Sequence, residues 1–155
     1  MFGDVWLVKG INESLDSLQW HRYATGLFQP LGLQVLNGVV HVLGRDQITA
    51  LHDVNEDGFA DFYRNHSNLM KTSAGHNFVT SLQSDSEGNL YYVDPKGLHK
   101  ISPDGASIET IATGWRNPNG LGRSPDGILT VAPQQGGWTP SSQISEVKQD
   151  GFYGA

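Results

Sequence analysis

Ala112-Thr113-Gly114-Trp115-Arg116-Asn117-Pro118-Asn119-Gly120-Leu121 has a counterpart at Ala24-Thr25-Gly26-Leu27-Phe28-Gln29-Pro30-Leu31-Gly32-Leu33. Both begin Ala-Thr-Gly, continue with a large apolar residue and then Pro, and close on Gly-Leu. The copies start at 24 and 112, an offset of 88, or two units of 44. A repeat of 40 to 50 residues is the length of one four-stranded sheet in a radial β array.

A third, blurred unit lies between them. Leu33 is followed by a turn at Asn37-Gly38 and by Val39-Val40-His41-Val42. Leu82 is followed by Ser86-Glu87-Gly88-Asn89 and by Leu90-Tyr91-Tyr92-Val93. Leu121 is followed by Ser124-Pro125-Asp126-Gly127 and by Ile128-Leu129-Thr130-Val131. An apolar strand, a Gly-containing turn and a β-rich strand form a hairpin signal. A further short strand comes next in each unit, at Gln47–Leu51, Gly97–Ile101 and Gln143–Val147, and an Asp-Gly turn ends it, at 57–58, 104–105 and 150–151.

This pattern predicts an all-β chain, a partial β-propeller of about three four-stranded antiparallel blades. The approximate units are 1–24 (a partial blade), 25–75, 76–112 and 113–155. No helix longer than about two turns is expected, and the only candidate for a short one is Glu13 to Leu18. Gly3-Asp4-Val5-Trp6-Leu7-Val8 reads as a third strand, and Gly151-Phe152-Tyr153-Gly154-Ala155 stops just after a turn. The chain therefore reads as a fragment that needs the remaining propeller blades or another copy of itself. Its outermost sheets are expected to leave Val5, Leu7, Ile128, Val131, Ile144 and Val147 uncovered, in patches that soluble monomers seldom tolerate.

Composition narrows the function. Glycine supplies 19 of 155 residues, above the ~7% average, as a turn-dense chain requires. The net charge of −6 and the scattered Lys and Arg argue against a nucleic-acid surface. No run of 18 apolar residues is present, so no membrane span is read. The chain has no cysteine, which removes disulfides and thiolate chemistry, and Met1-Phe2-Gly3-Asp4 leads straight into strand-like sequence with no visible signal peptide.

Four stretches carry candidate chemistry. Asp53, Asn55, Asp57 and Asp61 alternate around Gly58, so their oxygens could converge on calcium; the plain reading is a polar hairpin turn. Arg64 stands where an EF-hand needs Glu. His76, in Gly75-His76-Asn77, occupies the first-strand entrance of its unit, where an imidazole could act as general base or simply cap a turn. Arg116 and Asn117 occupy the same entrance one unit later, and Arg116 offers a fork of donors to an anionic or carbonyl-rich ligand. Its plain reading is a surface arginine stacked on Trp115. The loop Pro133-Gln134-Gln135-Gly136-Gly137-Trp138-Thr139-Pro140 offers glycine carbonyls and a stacking face, or packs on the rim. The other five histidines show no metal-ligand spacing.

Trp115–Leu121, Ser124–Gly127, Gln135-Gly136 and Gly151–Gly154 resemble the PQQ-dependent soluble sugar (glucose/sorbosone) dehydrogenases. They are similar in particular to the propellers in large bacterial membrane-bound dehydrogenase domain proteins. Gly3–Val8, Pro30–Leu33, Arg45–Ile48 and Asp53–Gly58 extend the likeness over nearly the whole chain. The resemblance implies a six-bladed propeller holding pyrroloquinoline quinone (PQQ) and calcium, and a periplasmic or secreted location. It implies a sugar or alcohol substrate, with His76 as the base while hydride passes to the quinone. Arg116 and Asn117 then contact the cofactor, and Gly136 supplies a carbonyl to calcium. Phe78 and Val79 depart from the family's glycines, Ser142 and Gln143 from its acidic pair, and Gly137 from its proline. The competing reading is a non-catalytic propeller scaffold that binds a protein or glycan. The isolated fragment is expected to aggregate, to dimerise face to face, or to lack PQQ-dependent activity. A metal-dependent lactone hydrolase would need Glu, Asp and Asn converging on the axis, a set the sequence does not offer.

Overall fold

The structure, a computed structural model, describes residues 2–72, 77–136 and 141–154. Its fourteen strands are all β and form four sheets. β1 (Phe2–Lys9) and β2 (Gln19–Phe28) form an antiparallel pair. β3 (Gly32–Leu36), β4 (Val39–Leu43), β5 (Ile48–His52) and β6 (Phe62–Ser67) form a complete four-stranded meander. The same order recurs in β7 (Thr80–Ser84), β8 (Leu90–Asp94), β9 (Gly97–Ile101) and β10 (Ile108–Thr113), and again in β11 (Gly120–Arg123), β12 (Leu129–Ala132) and β13 (Ser145–Glu146). β14 (Gly151–Phe152) pairs parallel with β10 and adds a fifth, outermost strand to the third sheet. The chain is a partial propeller, with two whole blades flanked by two incomplete sheets.

The repeat is written in the backbone as well as in the sequence. Gly26 and Gly114 both take positive φ, as do Gln29 and Asn117, the matching positions of the two copies. Asn37 and Gly38 adopt φ of 51° and 79°, as a tight hairpin turn between right-twisted strands requires. The segment 10–18 is not helical. Asn12 Oδ1 accepts the Leu15 N–H at 2.7 Å and Leu15 takes a φ of 55°, so an Asx turn stands where the one candidate for a short helix was read.

Three inter-sheet cores hold the blades together. Val5, Tyr23, Ala24 and Leu27 of the first sheet pack on Val40, Val42 and Leu51 of the second. Leu43 and Ile48 meet Leu82, Leu90, Tyr92 and Ile101 of the third. Tyr91, Val93 and Leu98 meet Trp115, Leu121 and Val131 of the fourth. Strand alternation makes this possible, because successive side chains point to opposite faces and each of the two inner sheets serves two cores.

The end faces differ from the expectation. Val5 and Val131 are buried, and Leu7 and Val147 pack against the cores. The opposite faces of the same sheets are open instead, with Phe2 74%, Trp20 66% and Ile144 78% exposed and Trp6 and Ile128 also uncovered. Ile128 and Ile144 are thus uncovered as expected while Val5, Leu7, Val131 and Val147 are not, because a shift of one position along a strand turns every side chain over and apolar character alone does not fix the face.

The inner strands β3, β7 and β11 lie side by side. The Ser81 N–H donates to the Leu31 carbonyl at 3.1 Å, and its hydroxyl donates to the Asn119 carbonyl at 3.0 Å. The Thr80 hydroxyl and the Gln83 amide reach the carbonyls of Pro118 and Leu121. Ser81, at φ 58°, sits in a β-bulge that turns the strand toward both neighbours.

Candidate functional site

Antiparallel order sorts the loops onto two faces. Loops entering the first strand of each blade, and those joining second to third strands, share one face, here called upper. The hairpin turns and the Asp-Gly turns share the lower face. The lower loops 10–18, 53–61, 85–89, 102–107, 124–128 and 147–150 hold eleven of the sixteen acidic residues. The upper loops hold Arg45, Lys71, Lys96 and Arg116 against the single acid Asp46. A chain of net charge −6 thus presents one cationic face.

A depression of about 300 Å³ opens on that face, lined by Phe78, Pro95, Asn117, Pro118, Asn119 and Gln134. The Asn117 side-chain amide lies 3.5 Å from Gln134 Oε1, and the Gln134 N–H donates to the Arg116 carbonyl at 3.1 Å. The exposed Arg116 guanidinium donates to the Gln135 carbonyl, so the arginine leans over the loop that carries Gly136. Arg116, Asn117 and the Gln135-Gly136 stretch are therefore brought together. His76 lies outside the described residues, but Phe78, two positions on, lines the same depression as Asn117. Trp115 does not stack on Arg116. It is buried against Tyr153, with ring centroids 4.5 Å apart, and anchors the loop from below.

Sequence reasoning missed Arg45. Its guanidinium sits 5.6 Å above the Phe78 ring and donates to Gln29 Oε1 at 2.9 Å. Gln29 is the repeat counterpart of Asn117, and that equivalence was the one available signal. Of the departures from the family pattern, Val79 is fully buried in the core while Phe78 forms a wall of the depression. Ser142 and Gln143 are exposed and neutral.

The Asp53–Asp61 loop lies on the lower face, away from this depression. Asp53 accepts the N–H groups of Asp57 and Gly58 at 3.1 and 2.8 Å, Asp57 accepts that of Phe59, and Asp61 accepts those of Val54 and Asn55. Asn55 donates to Asp57 and lies 3.5 Å from Asp61. Among the described residues no three His, Asp, Glu or Cys side chains are grouped to hold a metal. The four side chains thus close the turn through backbone N–H groups. The loop also joins blades, because the Ala60 N–H donates to the Tyr23 carbonyl at 2.8 Å and His21 Nε2 meets the Gly58 carbonyl.

No family profile matches the sequence, and a search of curated proteins returns no match. Among solved structures, the extracellular domain of a one-component system from B. thetaiotaomicron matches with a TM-score of 0.50 and 21% identity, over 80% of this chain and 18% of that one. The PQQ-bound aldose sugar dehydrogenase from Streptomyces coelicolor matches with a TM-score of 0.45 and 13% identity, over 97% of this chain and 66% of that one. The chain thus spans less than a fifth of the first and just under two thirds of the second. At these identities the likeness is one of fold. Among the described residues no helix is long and apolar enough to cross a membrane.

Proposed function

We propose that the upper face is the cofactor side of a PQQ-dependent sugar or alcohol dehydrogenase-like propeller, in a periplasmic or secreted protein. The observation that carries this reading is the gathering of Arg116, Asn117 and the Gln134–Gly136 loop around one depression on the cationic face. A planar quinone bearing carboxylates needs a fork of donors, amide side chains and an aromatic wall, and Arg116, Asn117 and Phe78 supply those chemistries. When bound, such a quinone accepts a hydride from the substrate carbon. Arg116 and Asn117 would hold its carboxylates, and His76 would take the hydroxyl proton.

Calcium belongs to the same reading at two places. The Gly136 carbonyl stands in the cofactor loop, where the neighbouring Ser142 and Gln143 offer no carboxylate. Asp53, Asn55, Asp57 and Asp61 would turn to the ion the lone pairs that their backbone N–H partners leave unused. Calorimetric uptake of calcium that disappears in Asp57→Ala is the expected result, and equal heats in both proteins leave the turn alone.

The test of function is to add PQQ and calcium to the protein and follow both the quinone absorbance and dye reduction by aldoses and alcohols. The expected outcome for this chain is a shifted quinone band, and for the intact parent protein turnover that His76→Ala abolishes while the band shift survives. A band that does not move would favour the non-catalytic scaffold. Where reduction needs the remaining blades or another copy, the band shift alone decides cofactor binding.

A further inference from the structure

Two histidines that are far apart in the sequence, His41 and His66, meet in the joint between the second and third blades, with His52 on the same face of the second blade. His41 on β4 and His52 on β5 point to the same side as Leu43 and Ile48, the side facing the third blade. His66 on β6 lies against the turn 102–107 of the third blade, whose Gly105 packs on the His66 carbonyl. The rings of His41 and His66 stand edge to face, 5.0 Å between centroids. His41 Nδ1 meets the Val39 carbonyl at 3.2 Å, while the Nε2 atoms of His52 and His66 are buried without a hydrogen-bond partner.

Partial burial disfavours the charged form of the His41 and His66 rings. The charged groups near the cluster are Arg64 on β6, which disfavours protonation of His41 and His66, and Asp104 in the facing turn, which favours it for His66. Burial is the larger influence at both and pushes their pKa values below the ordinary 6.5. Further along the same joint, His99 is already matched to Asp94 at 2.9 Å and stacked on Tyr92, so it is not part of the unpaired set.

We propose that this joint is an acid-sensitive hinge, in which protonation of His41 and His66 parts the second blade from the third. Two cations with ring centroids 5.0 Å apart repel in this partly buried joint, so protons enter as the turn 102–107 lifts off β6. The sign follows from linkage. The closed joint binds fewer protons than the open one between the lowered pKa values and 6.5, so closure is complete above that window and is lost as pH falls through it. The Arg45–Phe78 contact crosses the same joint, so opening also reshapes the upper-face depression.

The test is made on the full 155-residue chain. Proton NMR of the imidazoles gives the titration midpoints of His41 and His66, and hydrogen exchange of the Ser81 amide, which donates across the joint to the Leu31 carbonyl, reports opening. Midpoints below 6.5 are expected, with an opening constant that rises up to about tenfold per pH unit for each histidine within the window. The double variant His41→Gln/His66→Gln should flatten that rise. Midpoints at or above 6.5, or an equally steep rise in the double variant, overturn the proposal. If the variant does not fold, the midpoints in the unaltered chain decide.

Discussion

Gly105→Ala is expected to remove about 3 to 5 kcal/mol of stability, in the far tail of single substitutions. Gly105 sits at φ +73°, where a Cβ already costs about 1 to 2 kcal/mol. The added carbon would lie 1.8 Å from the His66 carbonyl oxygen and 2.8 Å from its carbon. Both are backbone atoms, so no rotamer change relieves the overlap, and the turn must lift away from β6. The Asp-Gly turn meets the outer strand of the preceding blade in every unit: Gly58 at His21, Gly105 at His66, and Gly151 opposite Ala112. Gly26→Ala is the control, because φ there is +78° but nothing stands within 4 Å of the new carbon. It should lose only about 1 kcal/mol. Urea denaturation of both variants makes the comparison, and equal losses would mean that docking of the turn does not hold the blades.

Trp115→Ala should cost about 3 to 5 kcal/mol, the usual range for emptying a buried Trp site. Trp115 is only 3% exposed, lies nearly parallel to Tyr153 at 13°, and directs Nε1 toward Ser145 Oγ at 3.4 Å. Tyr153 in turn accepts the Lys148 N–H and donates to the Glu146 carbonyl. One indole therefore fastens β13, the last Asp-Gly turn and the upper loop that bears Arg116. Circular dichroism during denaturation measures the loss. A cost below about 1 kcal/mol would show that the fourth sheet is held by other contacts.

The doubled phrase at 24–33 and 112–121 was enough to read the blades, because each of its special residues answers a backbone demand. Gly26 and Gly114 take positive φ, and Pro30 and Pro118 lead into the inner strands. The place of Arg116 and Asn117 at a blade entrance was legible for the same reason, since equal places in a repeat return to equal places in space, but their contact with the Gln135-Gly136 loop was not, because that loop joins a different pair of strands. Other features were hidden by physics that acts between units. Val5 and Val131 look like Trp6 and Ile128 in an apolar count, and only register decides which of them is covered. The histidine joint has no sequence spacing at all, because strand pairing across β4, β5 and β6 assembles it. The bulge at Ser81 was equally unreadable, because it follows from two neighbouring strands that both need its hydrogen bonds. Arg45 was missed because its partners, Gln29 and Phe78, come from two different blades.

The central claim is that the cationic upper face holds a carboxylated quinone through Arg116. Its most direct measurement is an equilibrium titration of PQQ, with calcium present, into the chain and into Arg116→Ala. Arg116 is exposed and outside the cores, so the variant should fold as the parent does. Loss of a charge-assisted contact worth about 1.5 to 3 kcal/mol predicts binding weaker by roughly ten- to a hundredfold. Saturable binding of the same strength in both proteins, or none in either, would contradict the account.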